Sequence, residues 1–142
     1  MTTTLSQYNV PQQLTSVRFS ATGNLAGVYV NGPLNNGIGA TLTAASPAAL
    51  AVDGGAPVPG DRVLLSAQTN ANENGIYVVN SSGSGASVWQ LQRSADQQSL
   101  EQFGAGQFFS TNAGSTLAAS IYVLVEPLPN QLGIDALTYT KS

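Results

Sequence analysis

Residues 57–79, PVPGDRVLLSAQTNANENGIYVV, constrain what this 142-residue chain can fold into more than any other stretch. They predict two strands, at 62–67 and 75–79, joined by a short polar connection. Pro59-Gly60-Asp61 is a turn: proline fixes φ, glycine accepts a positive φ, and aspartate bonds the backbone ahead of it. Val63, Leu64 and Leu65 form a short apolar run bounded by turn signals, the pattern of a strand buried on both faces. Asn72-Glu73-Asn74-Gly75 turns the chain, and Asn-Gly before Ile-Tyr-Val-Val is a strong hairpin signal. The stretch specifies architecture and contains no evident reactive group.

The rest of the chain repeats this rhythm of short apolar runs and turn clusters. Strands are expected at 25–31, 39–43, 88–93, 106–110, 119–125 and 134–140, with a short strand also at 46–52. Residues 81–87, SSGSGAS, read as a loose loop because no side chain in them is large enough to pack. Trp89 and Leu91 alternate with glutamines, placing one face inward. Ser94 and Gln97 have the spacing of a capping box, so the one expected helix is a short one near 95–101, stopped by Gly104. The expected fold is all-β: a single compact sandwich or barrel of about eight or nine short strands. Its core candidates are Leu64, Ile76, Val78, Trp89, Leu91, Phe108, Tyr122 or Val123, and Leu137.

Residues 21–142 then form the β-domain and 1–20 an extended N-terminal arm. Leu5, Tyr8, Val10, Leu14, Val17 and Phe19 are many large apolar groups for a solvated tail, so the arm is expected to lie on a neighbouring subunit. Residues 121–125, IYVLV, are apolar on both faces, and Tyr122 and Leu124 join the arm as candidate capsid or subunit contacts once the resemblance below is considered.

Charge narrows the partners. Only 8% of residues are charged, against about 25% in an ordinary soluble domain, which suits a surface packed into a larger assembly. The four basic residues, Arg18, Arg62, Arg93 and Lys141, are scattered singly at a net charge of -3, so nucleic acid is not an expected partner. No apolar run approaches the length of a membrane span, so no membrane partner is expected either. The N-terminus lacks the basic and apolar regions of a signal peptide, which implies synthesis in a cytosol and use without export.

Catalytic chemistry has little to work with. Histidine and cysteine are both absent, removing the commonest base, the commonest metal ligand and the thiolate nucleophile. Asp61, Glu73, Asp96 and Glu101 are a conceivable carboxylate set for glycoside hydrolysis, but turn and cap positions already account for such residues. Calcium is the least unsuited metal, with oxygen-rich loops at 53–55 and 70–74, although neither has the spacing of a calcium motif. No enzyme, cofactor or metal is expected. Asp61 with Arg62 and Arg93 near Asp96 are candidate ion pairs that fix loops.

GDRVLL, Gln68, ENGIYVV and WQLQRSAD together resemble a β-module of bacteriophage virion proteins. The matching residues are Gly60, Asp61, Arg62, Val63, Leu64, Leu65, Gln68, Asn74, Gly75, Ile76, Tyr77, Val78, Trp89, Leu91, Arg93 and Asp96. Upstream, NLAG at 24–27 and GIGATLT at 37–43 resemble that module's opening, so the likeness runs from Asn24 to Tyr139. Proteins with the module are capsid decoration (cement) proteins or fibre and tail-associated chains. The resemblance implies a β fold and a structural role in the virion, and carries over no catalytic residue. A short chain with no repetitive stalk is similar to the decoration type. The expectation is therefore a protein of the outer capsid surface that binds the major capsid protein, as a homo-oligomer with a trimer favoured. A tail or fibre component, adaptor or receptor-binding, is the alternative.

Overall fold

The computed structural model describes residues 12–142. Nine strands form two sheets: β1 (Phe19–Ser20), β2 (Val28–Val30), β3 (Thr41–Thr43), β4 (Arg62–Leu65), β5 (Gly75–Ser84), β6 (Ser87–Arg93), β7 (Phe108–Ser110), β8 (Ile121–Val125) and β9 (Thr138–Lys141). The order is β1-β4-β5-β6-β3-β2 in the larger sheet and β7-β8-β9 in the smaller. The fold is all-β, as the sequence predicts.

The expected hairpin lies at the middle of the larger sheet. β4 and β5 pair antiparallel from Arg62↔Val78 to Leu65↔Gly75. Leu64 points into one apolar cluster and Val63 and Leu65 into another, so β4 is buried on both faces. The first cluster lies between the two sheets, where Leu64 and Ile76 meet Phe109, Tyr122, Leu124, Leu137 and Tyr139. The second lies on the opposite face, where Val63, Leu65, Tyr77, Val79, Trp89 and Leu91 are covered by Leu50, Val52 and Phe19.

Several expectations are corrected. Residues 81–87 are not a loose loop: β5 runs to Ser84 and β6 starts at Ser87, with a register shift between Val79 and Ser81. Small side chains are required there because another segment passes close by. The Ala48 and Leu50 amides donate to the Ser87 and Ser82 carbonyls, and a Cβ on Gly83 would strike the Ala48 carbonyl. That passing segment, 46–52, forms no strand; only a Val52–Gly55 bridge is made. In place of a helix near 95–101 there are two 3-10 turns, Ala95–Gln97 and Leu100–Gln102. Ser94 makes no side-chain cap. Phe108 and Val78 are only half-buried, and their neighbours Phe109, Tyr77 and Val79 take the core positions.

The arm boundary at residue 20 also fails. Gln13 bridges to Phe108 and Val17 to Thr111, both parallel, and then Phe19 and Ser20 pair with Val63 and Leu64 of β4. This segment passes from the edge of the smaller sheet to the edge of the larger. Leu14, Val17 and Phe19 are buried at 9%, 0% and 6% exposure, which makes them core residues of their own chain. They are unavailable for a neighbour because removing them would open both clusters. Leu5, Tyr8 and Val10 lie outside the described residues.

Candidate interaction surface

Arg62 with Asp96, and Arg93 with Asn74 and Tyr77, form two polar clamps. In the first, Arg62 on β4 donates to both Asp96 oxygens (3.3 and 3.0 Å) and to Ser94 Oγ (2.7 Å). Its remaining donors reach the Thr15 and Ser16 carbonyls at 3.1 and 3.2 Å. One guanidinium thus ties the sheet, the first 3-10 turn and the N-terminal crossing segment together. Asp61 pairs instead with Arg18 at 3.5 Å and accepts the Val58 amide, closing the turn at Gly60. Neither expected pairing, Asp61 with Arg62 or Arg93 with Asp96, forms; Arg62 takes Asp96 and Arg18 takes Asp61. Side chains alternate across a strand, so adjacent Asp61 and Arg62 project to opposite sides.

The second clamp is buried. Arg93 is 1% exposed, and among the described residues no carboxylate pairs with it. Its guanidinium donates to the Asn74 carbonyl (3.1 Å) and to the hydroxyls of Tyr29 (3.2 Å) and Tyr77 (3.3 Å), and packs over the Tyr77 ring. Tyr77 in turn donates to the Glu73 carbonyl at 2.5 Å. Gly75 has φ 149, and a Cβ there would run into Arg93 Nη1. The Asn-Gly pair is thus spaced for an arginine, with Asn74 bonding the Gln68 amide and the Leu137 carbonyl. Burial pushes the Tyr77 hydroxyl above the ordinary phenol range.

Gln97, expected in a helix cap, is fully buried. It accepts the Ile76 amide at 2.7 Å and donates to the Tyr139 hydroxyl at 2.6 Å, pinning the two sheets together. The sequence marks it only as a capping-box glutamine, which gives no sign of this burial. Trp89 is 5% exposed within the second cluster, a core position.

The carboxylates do not converge on one cleft. Asp61, Glu73, Asp96 and Glu101 occupy four separate turns, and the first three are engaged by protein donors. Asp53 accepts the Thr116 and Leu117 amides, and the Leu117 bond leads in holding its carboxyl below the usual value. In the oxygen-rich loop at 70–74, Glu73 accepts from the Asn70 carboxamide and Asn74 Oδ1 accepts the Gln68 backbone amide. Among the described residues, no group of three or more acidic side chains is placed to hold a metal ion, and no helix is long and apolar enough to cross a membrane.

Two apolar surfaces remain. On β8, Tyr122 and Leu124 face the core at 6% and 0% exposure, so they are not contact residues. The outward positions are Ile121, Val123 and Val125, flanked in register by Phe108 and Ser110 on β7 and by Thr138 and Thr140 on β9. Ile121 is 43% exposed, and among the described residues this face carries no charged side chain. The parity of the strand was legible in the sequence, but its two faces are equally apolar and only packing separates them.

The second surface is a groove of about 580 Å³ between the loops at 35–38, 98–100 and 130–134. Ile38, Leu100 and Ile134 stand exposed in it, among the carboxamides of Asn35, Asn36, Gln98, Asn130 and Gln131. Sequence reasoning missed it because its walls come from three distant loops.

No family model, no curated protein and no solved structure matches this chain.

Proposed function

We propose that the chain is a structural protein of a phage virion, a decoration (cement) protein that binds the assembled shell and stabilises it. The observation that carries this reading is the uncharged outward face of the smaller sheet, Phe108, Ile121, Val123 and Val125 with their threonine and serine neighbours. An apolar sheet face left open favours a second surface, and a charge-poor one is cheap to desolvate. The partner is the major capsid protein, with copies of the chain associating as trimers on the shell. Many modest contacts engaged at once then hold neighbouring shell subunits together. The motif resemblance supports the same reading, and Arg62, Asp96, Arg93 and Asn74 of the motif serve the two clamps.

The test mixes the protein with purified shells that lack it and images them by cryo-electron microscopy. Regular added density with the smaller sheet against the shell is expected. Ile121→Asp combined with Val123→Asp should lower occupancy at least tenfold, with circular dichroism unchanged. Density at the tail alone would replace this reading with the fibre or adaptor one, and bare particles would end both.

A further inference from the structure

The groove at Ile38, Leu100 and Ile134 carries hydrogen-bonding groups that the fold holds in place and leaves unused. We propose that it binds a neutral sugar carrying an N-acetyl group, with the acetamide as the part recognised. This inference does not depend on the virion reading.

The groove is built in advance of any ligand. Its volume of about 580 Å³ falls within the roughly 300–1,000 Å³ of small-molecule sites. Two of its loops are locked together: Asn31 Nδ2 donates to the Leu132 carbonyl at 3.1 Å, and a Cβ on Gly37 would strike the Leu132 side chain. Asp135 braces the loop at 130–134 by accepting the Asn130 and Gln131 amides. Within this frame three lining carboxamides are oriented by the protein. Asn35 Oδ1 accepts from Asn31 Nδ2, and Asn36 Oδ1 accepts the Ile38 amide, both at 3.2 Å. Neither asparagine's Nδ2 has a partner among the described residues, so two adjacent positions offer donors. Gln98 is held the other way: its Nε2 donates to the Arg93 carbonyl at 3.1 Å, which leaves Oε1 to accept. The Asn35 donor is also polarised. Buried Arg93 donates to the Tyr29 hydroxyl, Tyr29 to Asn31 and Asn31 to Asn35, one chain of bonds from a cation to the groove.

Two donors and one acceptor match a secondary amide. Its carbonyl oxygen has two lone pairs for the asparagines, and its N–H suits Gln98 Oε1. None of the described side chains lining the groove is charged, so a phosphate or a charged peptide finds no counter-charge there. A pure hydrocarbon would strand the oriented carboxamides. The lining has no aromatic ring to stack on a flat sugar face, and its apolar contacts, Ile38, Leu100 and Ile134, suit a methyl group instead. An acetamide joins that methyl to the amide, and the remaining carboxamides, Asn130 and Gln131, both donate and accept as ring hydroxyls require. A longer peptide would present its amides in repeat along a strand, whereas the oriented groups here are enough for one.

The test titrates the full nitrogen-15 chain with N,N′-diacetylchitobiose. Saturable amide shifts are expected at Ile38, Leu100 and Ile134, with none at Gly85 on the β5–β6 hairpin tip. No shift at the groove would overturn the proposal. Cellobiose, which has hydroxyls in place of the acetamides, should bind about tenfold more weakly or worse, the cost of unpaired groups. Equal affinity would show that the acetamide is not read. Acetyl-alanine methylamide carries the same amide chemistry without a sugar and should also bind more weakly; tighter binding would assign the groove to a peptide and overturn the sugar. Asn36→Asp keeps the acceptor for the Ile38 amide and replaces the donor by oxygen, so it should weaken the disaccharide about tenfold with the rest of the spectrum unchanged. Asn35→Asp, which keeps the bond from Asn31, is a second variant with the same expectation. Undiminished affinity in both would remove the asparagine donors, and the proposal with them.

Discussion

The two faces of the β4–β5 hairpin are buried by different means. One is covered by a second sheet, with Phe109 stacked near Tyr122 and edge-on to Tyr139 at ring separations of 6.4 and 5.7 Å. The other is covered by an irregular segment around Leu50 and Val52, held by backbone bonds from Ala44, Ala48 and Leu50 to β5 and β6. A sheet face needs an apolar cover whose own backbone groups are satisfied, and regular structure is only one way to provide it. The difference lies in compliance. A sheet anchored along its length cannot collapse into a void, whereas a loop can settle.

That comparison is broken or sharpened most strongly by truncating each cover. Phe109→Ala should cost about 3–5 kcal/mol and Leu50→Ala about 2–3 kcal/mol in urea unfolding, the second reduced because the loop closes the cavity. Equal costs would mean that the loop is as rigid as the sheet.

Next in size is the buried arginine at the end of the loop-covered face. Gly75→Ala should cost about 1–3 kcal/mol, since its Cβ would collide with the Arg93 guanidinium. In an Arg93→Met background the same change should cost at least about 0.5 kcal/mol less, a coupling that a double-mutant cycle reads directly. Strict additivity would show that the glycine serves its own φ and not the arginine.

The smallest effect is seen in alkali, with one tyrosine on each face. Burial raises the hydroxyl pKa of Tyr77 in the loop-covered cluster and of Tyr139 in the inter-sheet cluster above the ordinary phenol value of 10.0. The folded state therefore holds these protons more tightly than the unfolded chain. Their contribution is complete below pH 10 and is lost as pH rises above it. Stability should be level from pH 7 to 9 with respect to these groups and then fall. Tyr77→Phe and Tyr139→Phe should each flatten the fall. An undiminished alkaline slope in either variant would remove that tyrosine as its source.

The sequence by itself determined the local geometry of the central hairpin. The Val63-Leu64-Leu65 run required burial on both faces, and the alternation through Trp89 and Leu91 gave β6 its inward side. Turn residues, period and apolar runs act over a few positions, so they survive in the sequence as short patterns. Tertiary structure alone decided what covers each face and which side of IYVLV looks outward. It also turned Leu14, Val17 and Phe19 inward and directed Arg62 to Asp96 and Gln97 to Ile76 and Tyr139. Those outcomes join positions tens of residues apart, where the free energy of closing a loop around a good contact outweighs any preference of the single residue. The groove belongs with them, since three loops that share no pattern meet there only once both sheets have formed.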